Sequence, residues 1–381
     1  MVSFRFARAC AALAVVSCLT ATPSLPYASA AGLTCGDAGV IDKPTPGDSS
    51  TKLPIFYFHG SAGNAQNSAN YRANLTAEGR TFVTLDFCSD ACSTTTGLNK
   101  QVEMGVAQVR SVIAANPSVF ESGYNFIAHS QGGTIARLVI QEMDDHKVKT
   151  FVSLAASANG RFYGPQPEDK VPTTGALSLL GGQIPQSIFN VSAYAADPTT
   201  LRGKFQRELL EAIFTNPDLQ ASIPQFNQAR SPYVPPWLEV NTVLPKYNNL
   251  ITCAGDNKAT CLANQKRYKD NFVRVENIHL FASPNDSVQA PYQTGLYGFY
   301  SSVDSLEEVE TKFEDLKVLD MTETPEYIGN TFGLKTLNEA GRLHRHDVPN
   351  VDHNCWNRNS TDFGWPCYWE SIYEKYIYPL L

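Results

Sequence analysis

One string, Ala128-His129-Ser130-Gln131-Gly132-Gly133, constrains this chain more than any other. Just before it, Tyr124-Asn125-Phe126-Ile127-Ala128 reads as a buried strand. Just after it, Ile135, Leu138, Val139 and Met143 recur on one face of a helix. A strand that passes into a helix through a single serine needs a sharp turn, and the serine at its apex takes a strained backbone. Bulky residues two positions away on either side would collide, and those positions hold Ala128 and Gly132. The string is thus a G-x-S-x-G nucleophile elbow with alanine in first place. The plainer alternative is a serine that caps the helix N-terminus. The strand before and the apolar-periodic helix after favour the elbow, so Ser130 is the candidate nucleophile.

The flanking sequence repeats the same alternation. Leu53 to Phe58 is an apolar run that ends in His59-Gly60, and Thr81 to Phe87 is a second β-rich run. Between Asn99 and Asn116, Val102, Val106, Val109 and Ile113 fall at helical spacing, and Pro117 follows. Thr150 to Leu154 is a further strand. Sheet-like sequence returns at Ile278 to Ala282 and at Arg342 to Val348, and Tyr368 to Ile377 reads as a closing helix. Alternating strands and helices predict an α/β fold, with a mostly parallel central sheet covered by helices on both faces. With the elbow, this is the α/β-hydrolase fold. The alternation stops over residues 157–250, which are rich in Gly, Pro, Gln and Asn. There Leu201, Phe205, Leu209 and Ile213 share a helical face, and the region is expected to be either an inserted lid or a helix packed on the core.

A serine hydroxyl is a poor nucleophile near neutral pH and needs a base oriented by a carboxylate. In this fold the chain order is Ser, then Asp or Glu, then His. Asp286 lies in Ser283-Pro284-Asn285-Asp286-Ser287, a loop of turn formers after the strand that ends at Ala282, and is the candidate acid. Its plainer reading is an Asx-turn. Only His344, His346 and His353 follow it. His344 and His346 alternate inside the expected strand and share one sheet face. His353 sits beyond that strand in a Pro- and Asn-bearing loop, and is the candidate base. An oxyanion hole needs two backbone N–H donors. Gln131, after the nucleophile, and Ser61, in the loop after the first strand, are the candidates. His59 is expected to shape that loop. An H-x-H metal site at His344 and His346 lacks an evident third ligand, so no metal and no cofactor is expected.

The ends of the chain point to export. Arg5 and Arg8 precede an apolar stretch from Ala9 to Leu19 and a small-residue site, Ala28-Ser29-Ala30, which reads as a signal peptide over residues 1–30 with the mature domain over 31–381. No later stretch has about eighteen uninterrupted apolar residues, so no membrane span is expected. Of the nine cysteines, Cys10 and Cys18 lie in that leader. The others are expected to form disulfides in an oxidising compartment. Cys253–Cys261 and Cys355–Cys367 are plausible local pairs, and Cys35, Cys88 and Cys92 compete for a third. Asn74, Asn190 and Asn359 head glycan acceptor triplets; Asn285 also heads one but falls in the candidate acid loop. A net charge of −7 without a basic run excludes nucleic acid as an expected partner.

With these residues placed, the chain resembles the palmitoyl-protein thioesterases, and most of all their second type. The resemblance rests on Phe58-His59-Gly60, His129-Ser130-Gln131-Gly132-Gly133 and Phe151-Val152-Ser153-Leu154. Further on it rests on Pro284-Asn285-Asp286-Ser287, Tyr297-Gly298-Phe299-Tyr300, the run from Thr331 to Leu337, and the stretch from Val351 to Asn357. It implies Ser130, Asp286 and His353 as the triad, with the Ser61 and Gln131 backbone as the oxyanion hole. It also implies hydrolysis of long-chain fatty acyl thioesters, from S-acylated proteins, peptides or acyl-CoA, through an acyl-serine intermediate, in the lysosome or outside the cell. The stretch from about 160 to 240 departs from the family. Leu177, Leu179, Leu180, Ile184, Ile188 and Phe189 in it either line an acyl groove or belong to ordinary core. Two other readings stand: a secreted lipase or carboxylesterase acting on oxygen esters, and an inactive lipid carrier that keeps the fold.

Overall fold

Seven strands form the central sheet of the computed structural model, which describes residues 40–42, 52–194, 201–361 and 366–381. The expected signal peptide and Cys35 lie outside the described residues. In chain order the strands are β1 (Val40–Asp42), β2 (Ile55–Phe58), β3 (Phe82–Thr84), β4 (Tyr124–His129), β5 (Val148–Leu154), β6 (Asn277–Ala282), β7 (Phe299–Tyr300), β8 (Val318–Leu319) and β9 (Leu343–Asp347). The sheet runs β1-β3-β2-β4-β5-β6-β9, while β7 and β8 pair separately. Only β1 is antiparallel in the main sheet; β3, β2, β4, β5, β6 and β9 are parallel neighbours. This is the α/β-hydrolase architecture, with all six strands read from the sequence in place.

Strand alternation divides the core in two. Phe56, Phe58, Phe126, Ala128, Ile278 and Leu280 point to one face and pack against the helices Leu98–Ala115, Gln131–Glu142 and Lys258–Val273. Ile55, Tyr57, Ile127, Val152 and Phe281 point to the other, where Tyr71, Leu75, Trp369 and Tyr373 cover them. The expected closing helix is Trp369–Ile372 continued by a wider turn, Tyr373–Ile377.

Much of residues 157–250 builds a second cluster of helices, while Ala158, Val243 and Tyr247 join the main core. Phe205, Leu209 and Ile213 are buried on the helix Arg202–Thr215 as the spacing predicts, against Leu177, Leu180, Ile184 and Phe189. Leu201 sits just before the helix and is exposed. The β7–β8 pair closes the same cluster through Phe299 and Val318. Among the described residues no helix is long and apolar enough to cross a membrane. Disulfides join Cys88–Cys92, Cys253–Cys261 and Cys355–Cys367. The three-way competition thus resolves to Cys88–Cys92. Asn74, Asn190 and Asn359 are exposed.

His344 and His346 lie on one face of β9, and His279 of β6 joins them. His279 stacks on His344 at 4.5 Å and 12°, and its Nδ1 lies 3.1 Å from His346 Nε2. His346 in turn stacks on Phe281 at 4.2 Å. Rings laid face to face present edges to one another rather than converging on one ion. Burial pushes the His279 imidazole down to about 4, and the neighbouring His344 and His346 add to this; burial also lowers His346. The sign follows directly. An unfolded histidine has a pKa of about 6.5, so the unfolded chain takes up a proton that the folded stack resists. The stack's contribution is whole above about pH 6.5 and is lost as pH falls toward 4. His279→Phe keeps the stacking and removes the titration. The melting temperature of this variant is expected to drop less than that of the wild type between about pH 7 and about pH 4.5. Equal drops would show that His279 does not carry the effect.

Candidate active site

The elbow, the acid loop and the histidine loop all lie at the carboxyl ends of parallel strands, where open α/β sheets bind their ligands. β4 ends at His129 and the helix Gln131–Glu142 starts one residue later. Ser130 between them takes φ 56° and ψ −129°, a conformation costing roughly 1–3 kcal/mol for a non-glycine residue. Its N–H is fixed to Leu154 O at 2.8 Å. Although Ser130 occupies the N-cap position, its side chain caps nothing. That removes the plainer reading, because a capping serine must accept from the first turn. Gly132 explains the tight approach: a Cβ there would meet the His59 carbonyl at 2.4 Å and the Phe58 carbonyl at 2.5 Å.

The loop after β2 presses on the elbow from the other side. A Cβ on Gly60 would lie 3.0 Å from Ser130 Cβ. His59 braces this loop as expected: Nε2 lies 3.0 Å from the Phe87 carbonyl and the ring stacks on Phe87. Ala62 N–H donates to Ser93 Oγ at 2.8 Å. The Ser61 and Gln131 N–H groups donate to no other described residue. Gln131 is fully buried, so its free N–H is a desolvated donor beside the serine.

Asp286 and His353 meet directly. His353 Nδ1 lies 2.9 Å from both carboxylate oxygens of Asp286. Asp286 Oδ1 also accepts the Val288 and Gln289 N–H groups at 2.8 Å each. The Asx-turn and the histidine contact are therefore two uses of one carboxylate. An acceptor-only partner makes Nδ1 the protonated nitrogen and leaves the Nε2 lone pair free. The two loops are tied to each other as well. Asn285 Oδ1 accepts from Asn350 N–H at 2.9 Å, and Ser283 Oγ accepts from Val351 N–H at 3.3 Å. Cys355–Cys367 anchors the far side of the histidine loop.

Two residues escaped the sequence reading. His129 Nε2–H donates to the His353 carbonyl at 2.8 Å, and the two rings lie 4.8 Å apart. Asn357 Nδ2 donates to His129 Nδ1 at 3.2 Å. Burial pushes the His129 pKa down to about 3, with the nearby His353 adding to it. A neutral ring with one donor and one acceptor is what these partners require. His129 thus clamps the histidine loop onto the elbow. Its place next to Ser130 was the only signal available in the sequence. His344 and His346, by contrast, make their contacts with His279 and Phe281, away from Asp286.

A family model described as palmitoyl protein thioesterase matches residues 54–353. The chain belongs to that family. Among its curated members, a lysosomal thioesterase PPT2-B of Xenopus laevis is 27% identical over 241 residues, covering 63% of this chain and 66% of that one. A lysosomal thioesterase PPT2 of Homo sapiens is 26% identical over 345 residues, covering 90% of this chain and 92% of that one. The chain thus spans just under two thirds of the frog relative and nine tenths of the human one. Among solved structures, it is similar to a putative lipase of Acinetobacter baumannii AYE at 14% identity and a TM-score of 0.37, over 88% of this chain and 85% of that chain.

The family's chemistry and this geometry together predict a sharp contrast among the three histidines. His353→Ala and Ser130→Ala are each expected to lower turnover of an acyl thioester by about 10⁴–10⁶-fold, because such groups act as a unit. His344→Ala and His346→Ala are expected to stay near wild type. Steady-state kinetics on folded variants checks this, and a dead His344→Ala or an active His353→Ala would refute the assignment.

Proposed function

We propose that this protein hydrolyses long-chain fatty acyl thioesters, with Ser130 as nucleophile, His353 as general base and Asp286 as its orienting acid. The observation that carries the reading is the uncapped Ser130 at φ 56°, beside a loop whose histidine is held at 2.9 Å by both Asp286 oxygens. Ser130 Oγ attacks the thioester carbonyl carbon while its proton passes to His353 Nε2. The carbonyl oxygen becomes an oxyanion that accepts from the Gln131 and Ser61 N–H groups. Collapse breaks the C–S bond, and the thiolate takes the proton from His353. Water then repeats the sequence on the acyl-serine, releasing the fatty acid and restoring the Ser130 hydroxyl.

The thioester fits this site on chemical grounds. A thiol has a pKa of about 8.5, so its thiolate leaves with little help from a general acid. The task falls on attack and on the oxyanion, which are what the elbow and the loop after β2 serve. Family membership supports the same substrate class, as do relatives named lysosomal thioesterases. Those names and the three disulfides support a protein of the secretory route, lysosomal or extracellular.

For the acyl chain we assign the helical cluster over residues 157–250 as a lid. Of the six apolar residues singled out in the sequence, Leu177, Leu180, Ile184 and Phe189 are buried in its core and Ile188 is partly so. Leu179 lies outside the residues whose side chains are described. Leu180, Leu209, Ile213 and Phe226 line a cavity of about 20 Å³, room for one water, together with the polar Arg161, Gln206 and Gln225. An acyl chain would have to part the helices Lys170–Gly181 and Arg202–Thr215 to enter there.

Matched palmitoyl thioester and palmitoyl oxygen ester test the reading. The thioester is expected to show a kcat/KM higher by at least about tenfold, or ~1.4 kcal/mol of barrier. Equal or faster cleavage of the oxygen ester would make the protein a lipase or carboxylesterase. Loss of neither substrate would make it a carrier.

A further inference from the structure

Arg161 is a cation buried beside the elbow, only 6% exposed. Among the described residues no carboxylate lies within salt-bridge distance of it. Removing an unpaired charge from water is costly, and an apolar side chain of similar size would avoid that cost. What Arg161 gains is a fork of hydrogen bonds. Its Nε donates to Ser157 Oγ at 2.8 Å, and its Nη2 donates to Gln228 Oε1 at 2.6 Å.

A guanidinium can only donate, so each partner must turn an acceptor toward it. That requirement propagates. Gln228 spends Oε1 on Arg161, which leaves Nε2 to donate to Gln131 Oε1 at 2.8 Å. Gln131 then has only Nε2 left, which donates to Ser93 O at 2.9 Å and to Gln101 Oε1 at 3.0 Å. Ser93 Oγ is the group that accepts the Ala62 N–H of the loop after β2. On the other arm, Ser157 accepts from Arg161 and so donates to Gln289 Oε1 at 2.8 Å. Gln289 Nε2 is thereby aimed at Ala155 O at 2.9 Å, while its backbone N–H holds Asp286 Oδ1. Ser93, Gln101, Gln131, Ser157, Gln228 and Gln289 are all buried.

We propose that Arg161 is a positioning residue that sets, through these two arms, the oxyanion side of the elbow and the seat of Asp286. Its side chain makes no hydrogen bond to Ser130 or His353. One cation fixes which way each amide faces, so that the Gln131 end of the helix and the Asp286 loop are held relative to one another. This rests on Ser130 as the nucleophile, but not on the choice of thioester over oxygen ester.

The test uses the full-length protein and the rate at which a fluorophosphonate probe labels Ser130. That rate depends on the nucleophile, its base and the oxyanion hole, and not on the natural substrate. Arg161→Gln is expected to label at least about tenfold more slowly, since a small misplacement can cost up to ~10²-fold. Gln228→Met, which keeps the shape and cuts one arm, is expected to slow labelling in the same way, and it stands in should Arg161→Gln fail to fold. The double variant is expected to be no slower than Arg161→Gln by more than about twofold, because both act on one path. Guanidinium at sub-denaturing concentration is expected to restore labelling of Arg161→Ala, which a lost packing contact would not allow. Folded Arg161→Gln or Gln228→Met that labels within twofold of wild type would overturn the proposal. So would multiplying effects in the double variant, or no rescue by guanidinium. Wild-type protein that is not labelled at Ser130 would overturn the nucleophile reading, and this one with it.

Discussion

The backbone of Ser130 is the constraint on which the rest of this molecule depends. A serine at φ 56° is unfavourable in isolation, and it persists here because its surroundings leave no alternative. β4 lies in the interior of the sheet with neighbours on both sides, β2 and β5. The helix that follows is nearly all buried, and Gly132 lets it seat against the carbonyls of Phe58 and His59. Relaxing the serine would move that helix off the sheet. The stability of two core layers thus holds one hydroxyl out of any capping bond and available for chemistry.

The same economy governs the groups around it. Asp286 is placed by the backbone of its own turn before it meets His353. His353 is placed by Asp286 through the ring and by His129 through the carbonyl. His129 accepts from Asn357 only while neutral, and burial favours that form. None of these contacts relies on an exposed ion pair, the kind that contributes least. The site is held by hydrogen bonds whose directions are dictated by which groups can only donate and which can only accept.

Much of this was legible in the sequence, and the reasons are local. Most of the six parallel strands announced themselves as buried apolar runs alternating with helices, whereas β9, Leu-His-Arg-His-Asp and only partly buried, showed through its alternation alone. The meeting of Asp286 with His353 was legible because chain order and loop position leave few candidates. β1 carried no such signal, being a three-residue edge strand that pairs antiparallel. β7 and β8 have two residues each, too few for any period. The Cys88–Cys92 pair depends on a local path in which Cys88 takes φ 49°, and spacing does not encode that. His279 was invisible as a partner of His344 because only the β6–β9 register brings them together. The role of residues 157–250 was the least legible part, since most of their helices pack on one another while Ala158, Val243 and Tyr247 reach the main core.

The most direct measurement of the central claim is the site of acylation during turnover. Protein mixed with excess palmitoyl thioester, quenched in acid and digested, is read by peptide mass spectrometry. A covalent acyl-serine route predicts palmitate on the peptide bearing Ser130, and its absence from that peptide in Ser130→Ala. Palmitate carried by another residue in actively turning-over protein, or steady turnover by folded Ser130→Ala, would contradict it.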